Sequence, residues 1–233
     1  MRSARPVPLV LLALIAFFSG LAALAVSNGM AHAHGTAVHA DHAAVSVEHR
    51  PVLTSKALTL HDGMRKLWED HVTWTRLAII SLEGDTPDAN ATVARLLQNQ
   101  ADIGNAIKPF YGDSAGQRLT ELLREHILIA ADVIAAAKDA DQAKLADAQA
   151  RWVTNADEIA SFLHQANPHH WPLDVLTSEM HMHLRFTTEE AVAHLQGDWE
   201  GDVAAYDRVH LHILHMADLL SNGLIAQFPS RFH

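Results

Sequence analysis

The chain has 233 residues, no cysteine and a formal net charge of −10, which becomes −12 if Arg2 and Arg5 leave with an N-terminal leader. The lack of cysteine excludes disulfides and a lipid-modified cysteine, so we expect the core to provide the stability. The acidic charge argues against nucleic acid as a partner, because that binding depends on cationic contacts with phosphate. The 18 histidines are a high number that needs an explanation.

Residues 1–33 have the form of a signal peptide or an N-terminal membrane anchor. Two arginines precede an apolar run at residues 7–26, and small residues follow it, which is typical of a secretory signal. The run is also long enough for a membrane span, so an uncleaved tether is the alternative. We therefore expect an exported protein, periplasmic or extracellular, with a possible anchor in the inner membrane.

Residues 34–57 combine small residues with several histidines and have no apolar face. This composition indicates a flexible, histidine-rich linker. Its imidazoles could bind copper, zinc or nickel loosely, since imidazole suits those metals. A solvated spacer without a ligand would have the same composition.

Residues 58–230 are predicted to form one helical-bundle domain, because apolar residues recur there at steps of three and four. Thr86 or Asp85 is expected to cap a helix that begins at Pro87. The fold class is therefore all-α, a six-helix up-and-down bundle built from three αα-hairpins, with ferritin-like or four-helix-bundle-like packing. Glycine, proline and aspartate breaks place the helices at roughly 58–83, 87–108, 114–138, 141–166, 172–196 and 199–228.

A polar pattern repeats in the three hairpins. The first helix of each has a histidine on its apolar stripe, at His71, His126 and His183. The second helix has a polar pair, whose first member follows the histidine by 28, 29 and 32 residues. Buried polar groups are costly unless they are paired, so these side chains must bond to each other or hold a ligand. The pairs are Asn99 and Asp102, Asn155 and Glu158, and His215 and Asp218.

One interpretation of the pattern is structural. Each histidine would hydrogen-bond an Asn, Asp or Glu of its partner helix and fix the register between the two helices. The protein would then be a non-catalytic structural or interaction module. We favour this interpretation for the histidines of the first two hairpins.

The last hairpin favours a transition-metal site inside the bundle. Imidazole and carboxylate groups share helix faces there, and such groups bind Zn, Cu, Ni or Fe. Nearby methionines would favour copper, although methionine more often only fills a core. A metal-dependent oxidase is a further alternative, which needs an open coordination position. The preferred ligands are His183, His215 and Asp218, followed by His71, His126, His181, Glu179 and His212.

The sequence contains no pattern for nucleotide binding or covalent catalysis. It has no Gly-rich phosphate loop after a strand, no Gly-x-Ser-x-Gly elbow and no His-Glu-x-x-His motif. We therefore predict neither catalytic residues nor a nucleotide cofactor, and we favour metal binding without catalysis.

Between about Leu67 and Phe228 the chain resembles a group of uncharacterised bacterial all-helical proteins. The resemblance implies an all-α core with the same order of sequence blocks, and it implies no particular activity or ligand. The blocks are LWEDHVTWTRLAIISL, LLQNQADIGNAIKPFYG, LLREHILIAADVI, NADEIASFL and HMADLLSNGLIAQFP.

Overall fold

The computed structural model describes residues 54–233, so the predicted signal or anchor and nearly all of the predicted linker lie outside the described residues. The predicted fold class is confirmed, since the described chain is a six-helix, up-and-down all-α bundle. A short 3₁₀ turn, Pro229–Arg231, follows the last helix. The helices are α1 (Ser55–Glu83), α2 (Ala89–Tyr111), α3 (Asp113–Lys138), α4 (Gln142–Ala166), α5 (Leu173–Gln196) and α6 (Trp199–Gln227).

The helix ends differ from the predicted ends at a few places. The first helix begins at Ser55, earlier than expected, because the side chain of Thr54 accepts a hydrogen bond from the backbone of Ala57 and caps it. Pro87 does not begin α2, which starts after Asp88. At its other end α2 continues through Pro109, since a proline in the last turn removes only one backbone hydrogen bond.

The six helices form a closed ring. Each helix packs against the next one along the chain, and α6 completes the ring by packing against α1. Across the middle, α1 also contacts α3 and α5. These three helices therefore meet at the centre of the bundle, where each carries one of the repeated histidines.

Gly104 of α2 and Gly116 of α3 face each other where the two helices cross. A Cβ atom placed on Gly104 would lie 2.5 Å from the carbonyl oxygen of Gly116. Only a residue without a side chain fits at this distance. The glycines thus set the spacing between the first and second hairpins.

Between residues 54 and 233, no helix has both the length and the apolar character required to span a bilayer.

Candidate functional site

Four imidazole rings meet at the centre of the bundle, and we call them the histidine cluster: His71 of α1, His126 of α3, His183 of α5 and His212 of α6. Each residue is between 3 and 7% exposed. The ring centroid of His183 lies 5.7 Å from that of His71, 6.3 Å from that of His126 and 6.1 Å from that of His212. The packing of separate hairpins thus places His183 in the middle of the other three rings.

In the first hairpin His71 is bonded to Gln100. The side-chain amide of Gln100 lies 3.2 Å from Nδ1 of His71, and an amide nitrogen can only donate, so Nδ1 accepts. Asn99 instead donates to the backbone carbonyl of Leu67 at 3.0 Å. Asp102 accepts from Gln98 on the surface. The partner of His71 is therefore neither of the two residues that the sequence pattern indicated.

In the second hairpin both nitrogens of His126 are bonded. Nδ1 donates to Oδ1 of Asn155 at 2.8 Å, and the indole Nε1–H of Trp152 donates to Nε2 at 3.2 Å. Asn155 also donates to the carbonyl of Leu122 at 3.1 Å. Asn155 is one of the partners that the pattern predicted for His126. The other, Glu158, is exposed and lies 3.9 Å from Arg118.

In the third hairpin the residue that corresponds to Asn155 is His212, not His215. The spacing from His183 to His212 is 212 − 183 = 29 residues, the same as from His71 to Gln100 and from His126 to Asn155. His212 also bonds to the backbone carbonyl four residues before the repeated histidine, as Asn155 does, here the carbonyl of Glu179 at 3.1 Å. The interval of 32 residues from His183 to His215 therefore selected a residue one helical turn beyond the corresponding residue, His212.

This hydrogen bond fixes the tautomer of His212. Because Nε2 donates its proton to the carbonyl of Glu179, Nδ1 of a neutral ring carries a lone pair. Burial lowers the pKa of His212, which favours the neutral ring. Nδ1 lies 3.5 Å from Oε2 of Glu179. Two electron-pair donors thus face each other, and Oε2 has no hydrogen-bond partner within residues 54–233.

His215 reaches the other oxygen of the same carboxylate. Its Nε2 lies 3.6 Å from Oε1 of Glu179. The side chain of His215 is 64% exposed, whereas that of Glu179 is 14% exposed. Both side chains line a surface groove together with Met182, Phe186, Arg208, Leu211 and His212. The Glu179 carboxylate therefore lies between a buried imidazole and an exposed one, beside open solvent.

The remaining rings of the cluster are held neutral. Burial lowers the pKa of His71 to about 3 and that of His126 to about 4. Burial and the neighbouring imidazoles bring the pKa of His183 well below its usual value. Nδ1 of His183 is buried and has no partner among the described side chains and backbone groups.

Two of the predicted ligands have other partners. Asp218 is bonded by Arg65 through two contacts, at 2.6 and 2.5 Å, and its Oδ1 lies 3.0 Å from Nε2 of His61. His181 lies on the surface, 2.7 Å from a carboxylate oxygen of Asp157. The structure thus groups His71, His126, His183 and His212 in one cluster and Glu179 with His212 and His215, and it places Asp218 and His181 elsewhere.

A second cluster of buried polar side chains, which the sequence pattern did not predict, lies between α1, α5 and α6. Arg76 donates to Glu190 at 2.8 Å and to both carboxylate oxygens of Asp202, at 2.8 and 2.9 Å. Close to them, Nδ1 of His194 lies 2.7 Å from Oε2 of Glu83. The signal in the sequence was the stripe of α5, which becomes polar at Glu190 and His194.

Glu83 and Glu190 of this second cluster are protonated more easily than usual. Burial raises the pKa of Glu83 to about 8, and the charges of Asp202 and Glu190 add to the effect. Burial also raises the pKa of Glu190 to about 7, although Arg76 opposes it. Oε2 of Glu190 is buried without a hydrogen-bond partner in the described part of the chain.

Within residues 54–233, no three histidine or acidic side chains are already arranged around one position for a metal ion. A site built from Glu179, His212 and His215 therefore requires side-chain movement, which the exposure of His215 permits.

Comparisons with protein-family models, with curated proteins and with solved structures find no match for this chain.

Proposed function

We propose that the protein binds a transition-metal ion between α5 and α6, through Nδ1 of His212, Nε2 of His215 and the carboxylate of Glu179. The observation that carries this proposal is the lone pair of His212, which faces an unpartnered carboxylate oxygen at 3.5 Å. Two facing acceptors repel each other unless a proton or a metal ion lies between them. A metal ion at that position would satisfy both.

The distances suit ligands that share one ion. Metal bonds from zinc to imidazole nitrogen and carboxylate oxygen are about 2.0–2.2 Å long, so two ligands of one ion are at most about 4.2 Å apart. The separations of 3.5 and 3.6 Å from Glu179 to His212 and His215 are within this limit. They are also longer than ordinary hydrogen bonds between such groups.

The surroundings of His212 support the same proposal. A histidine that binds a metal commonly donates its other ring N–H to a carbonyl or carboxylate, which orients the ring. The bond from Nε2 of His212 to the carbonyl of Glu179 has this form. In the second hairpin the corresponding bond of Asn155 connects two helices, and at His212 the same contact would in addition orient a metal ligand.

Imidazole and carboxylate ligands fit zinc, nickel, copper or iron, and Met182 in the same groove would favour copper. The exposed ring of His215 lets an ion enter from solvent. We infer from the apolar run at residues 7–26 that the protein performs this binding after export, and that the histidine-rich linker supplies weaker metal contacts.

The test is metal retention by the full-length, untagged protein. His215→Ala and Glu179→Gln should each lower the amount of tightly bound zinc or copper by one equivalent per chain after dialysis, measured by elemental analysis. His181→Ala is the matched control, because it removes a histidine from the same hairpin that is paired with Asp157 outside the site. Loss of the same amount in this control, or no loss in either site variant, would contradict the proposal.

Metal bound by the linker histidines does not affect this comparison, because every variant contains the same linker. His215 is also mostly exposed, so its replacement should leave the melting temperature nearly unchanged. A lower melting temperature without metal loss would instead favour the structural alternative. That alternative is supported by the bonds of His71 to Gln100 and of His126 to Asn155, which connect the helices of the first two hairpins.

A further inference from the structure

An apolar cavity lies along the axis of the bundle, next to the histidine cluster. Its volume is about 40 Å³. The cavity is therefore narrow. It is separate from the metal site proposed above, with which it shares no lining residue.

The repeat builds the walls of the cavity. The residues four and eight positions after each repeated histidine all line it: Thr75 and Ile79 in α1, Ala130 and Ile134 in α3, and Thr187 and Ala191 in α5. Most of these side chains are small or apolar. Because three helices place short side chains at the same level, they leave free space between them along the axis.

The shape favours an unbranched ligand. The lining of α1 extends from Thr75 to Glu83, which is about 12 Å along a helix at 1.5 Å per residue. A narrow space of this length fits an extended alkyl chain better than a ring system. The apolar lining would stabilise such a chain by removing it from water.

Two polar side chains in the lining indicate that the ligand is not purely apolar. Thr187 is 5% exposed, and its hydroxyl has no hydrogen-bond partner in residues 54–233. The side chain of Glu83, the last residue of α1, is 4% exposed, and its Oε2 lies 2.7 Å from Nδ1 of His194. Buried polar groups usually have partners, so an unpaired hydroxyl in a cavity wall indicates a bound molecule or water.

The charge near Glu83 favours a cationic head group. The charged and titratable side chains around it are Glu190 and His194 of α5, Asp202 of α6, Lys138 of α3 and Arg76 of α1. Arg76 is already bonded to Glu190 and Asp202, and Lys138 is bonded to Leu82 and Asp85. Oε2 of Glu83 already lies 2.7 Å from Nδ1 of His194, so an ammonium group would contact the other carboxylate oxygen, to which neither Arg76 nor Lys138 is bonded.

We propose that the cavity binds an unbranched aliphatic primary amine, whose alkyl chain lies along the axis of the bundle and whose ammonium group contacts the carboxylate of Glu83. The raised pKa of Glu83, about 8, has a consequence for this binding. At pH 7 the ammonium group must displace a proton from Glu83, so the affinity should increase as the pH rises from 7 to 8.5.

Titration calorimetry with the full chain tests the proposal, with hexylamine, hexanol and hexanoate as probes. At pH 8.5 hexylamine should bind about tenfold more tightly than hexanol, because its contact with the carboxylate is charge-assisted, and hexanoate should bind most weakly. Trp152 lines the cavity, so a change in the tryptophan fluorescence of the protein on binding gives a second readout. Equal affinity for hexylamine and hexanol, or binding of none of the three probes, would overturn the proposal.

Two variants separate the head group from the chain. Glu83→Gln keeps the shape and should reduce hexylamine to the affinity of hexanol while hexanol still binds, which also shows that the cavity is intact. Ala191→Leu fills the cavity and should weaken both ligands at least tenfold, whereas Ala146→Leu, on the surface of α4, should change neither. Unchanged binding to the Ala191→Leu variant would contradict the proposed location.

Discussion

His126 illustrates how a single histidine is accommodated in this core. It is 3% exposed, yet both ring nitrogens have partners, Asn155 at Nδ1 and Trp152 at Nε2. The ring is neutral because burial disfavours its charged form. Its partners fix one tautomer, so His126 connects α3 and α4 through directional bonds as well as by packing.

We predict that Asn155→Ala destabilises the protein by about 2 kcal/mol, because it leaves the Nδ1–H of His126 without an acceptor in the core and removes the second hydrogen bond to the carbonyl of Leu122. The measurement is the free energy of unfolding from urea denaturation at pH 7. Asn90→Ala, at an exposed position in the first turn of α2, is the control and should change it by less than about 0.5 kcal/mol. Similar decreases of the free energy of unfolding in both variants would show that the buried hydrogen bond between His126 and Asn155 does not stabilise the protein more than a surface residue does.

The sequence predicted that His71, His126 and His183 lie on the apolar stripes, and they are buried. It did not predict every partner. Asn99 and Gln100 are adjacent, so a rotation of one residue about the axis of α2 decides which of them contacts His71. The choice between His212 and His215 depends in the same way on one helical turn, and a pattern without an alignment does not resolve it.

At the scale of the helices, α2 and α3 cross closely at Gly104 and Gly116. The built Cβ of Gly104 would lie 2.0 Å from Oγ1 of Thr120 and 2.5 Å from the carbonyl oxygen of Gly116. A side-chain hydroxyl can rotate away, but a helix backbone cannot move without shifting its neighbours. The crossing therefore depends on the absence of a side chain at Gly104.

We predict opposite effects of the same substitution at two glycines. Gly104→Ala should lower the free energy of unfolding by about 2 kcal/mol, because the added methyl forces α2 and α3 apart. Gly63→Ala, at an exposed position of α1 with nothing within 4 Å of its Cβ, should raise it by up to about 1 kcal/mol through helix propensity. Thermal or urea denaturation of both variants gives the comparison. A lower free energy of unfolding in both variants would be inconsistent with this explanation.

The number and order of the helices were predictable because Ala-rich and Leu-rich stripes with glycine and proline breaks are local signals. The ends of the helices were less predictable. Pro109 was expected in a break between helices, yet α2 extends to Tyr111, because packing of the last turn outweighs the loss of one hydrogen bond. The start of α2 after Asp88, whose side chain makes no capping hydrogen bond, likewise depends on a turn whose geometry the sequence pattern does not specify.

At the scale of the whole molecule, the ring of helices creates features that no single segment encodes. Thr187 and Ala191 form a cavity wall only because Thr75 and Ala130 occupy the same level in the neighbouring helices. The group of Arg76, Glu190 and Asp202 likewise needs α1, α5 and α6 together. Such features arise from tertiary packing, so their residues are recognisable in the sequence only as polar or small positions.

The buried histidines should limit stability in acid. Their folded-state pKa values lie below the unfolded value near 6.5, to about 3 for His71 and about 4 for His126, and well below for His183. The unfolded chain therefore binds more protons as the pH falls below 6.5. Their contribution is complete above pH 6.5 and is lost as the pH falls toward 4.

The buried carboxyl groups have the opposite effect. Burial raises the pKa of Glu83 to about 8 and that of Glu190 to about 7, from an unfolded value near 4.5. The folded state therefore keeps protons that the unfolded chain releases. Their contribution is complete below pH 4.5 and is lost as the pH rises through 7 to 8.

The two effects together predict a maximum of the unfolding free energy near pH 6.5. From pH 5 to 6.5 the three histidines outweigh the two carboxyl groups, so stability increases with pH, and above 6.5 the carboxyl groups dominate and stability decreases. Glu83→Gln should reduce the decrease between pH 7 and 8.5, because an amide does not ionise, whereas Glu121→Gln on the surface of α3 should leave it unchanged. Urea denaturation at half-unit steps of pH measures the profile. Stability that keeps rising through pH 8 would mean that Glu83 and Glu190 are ionised in the folded protein at neutral pH.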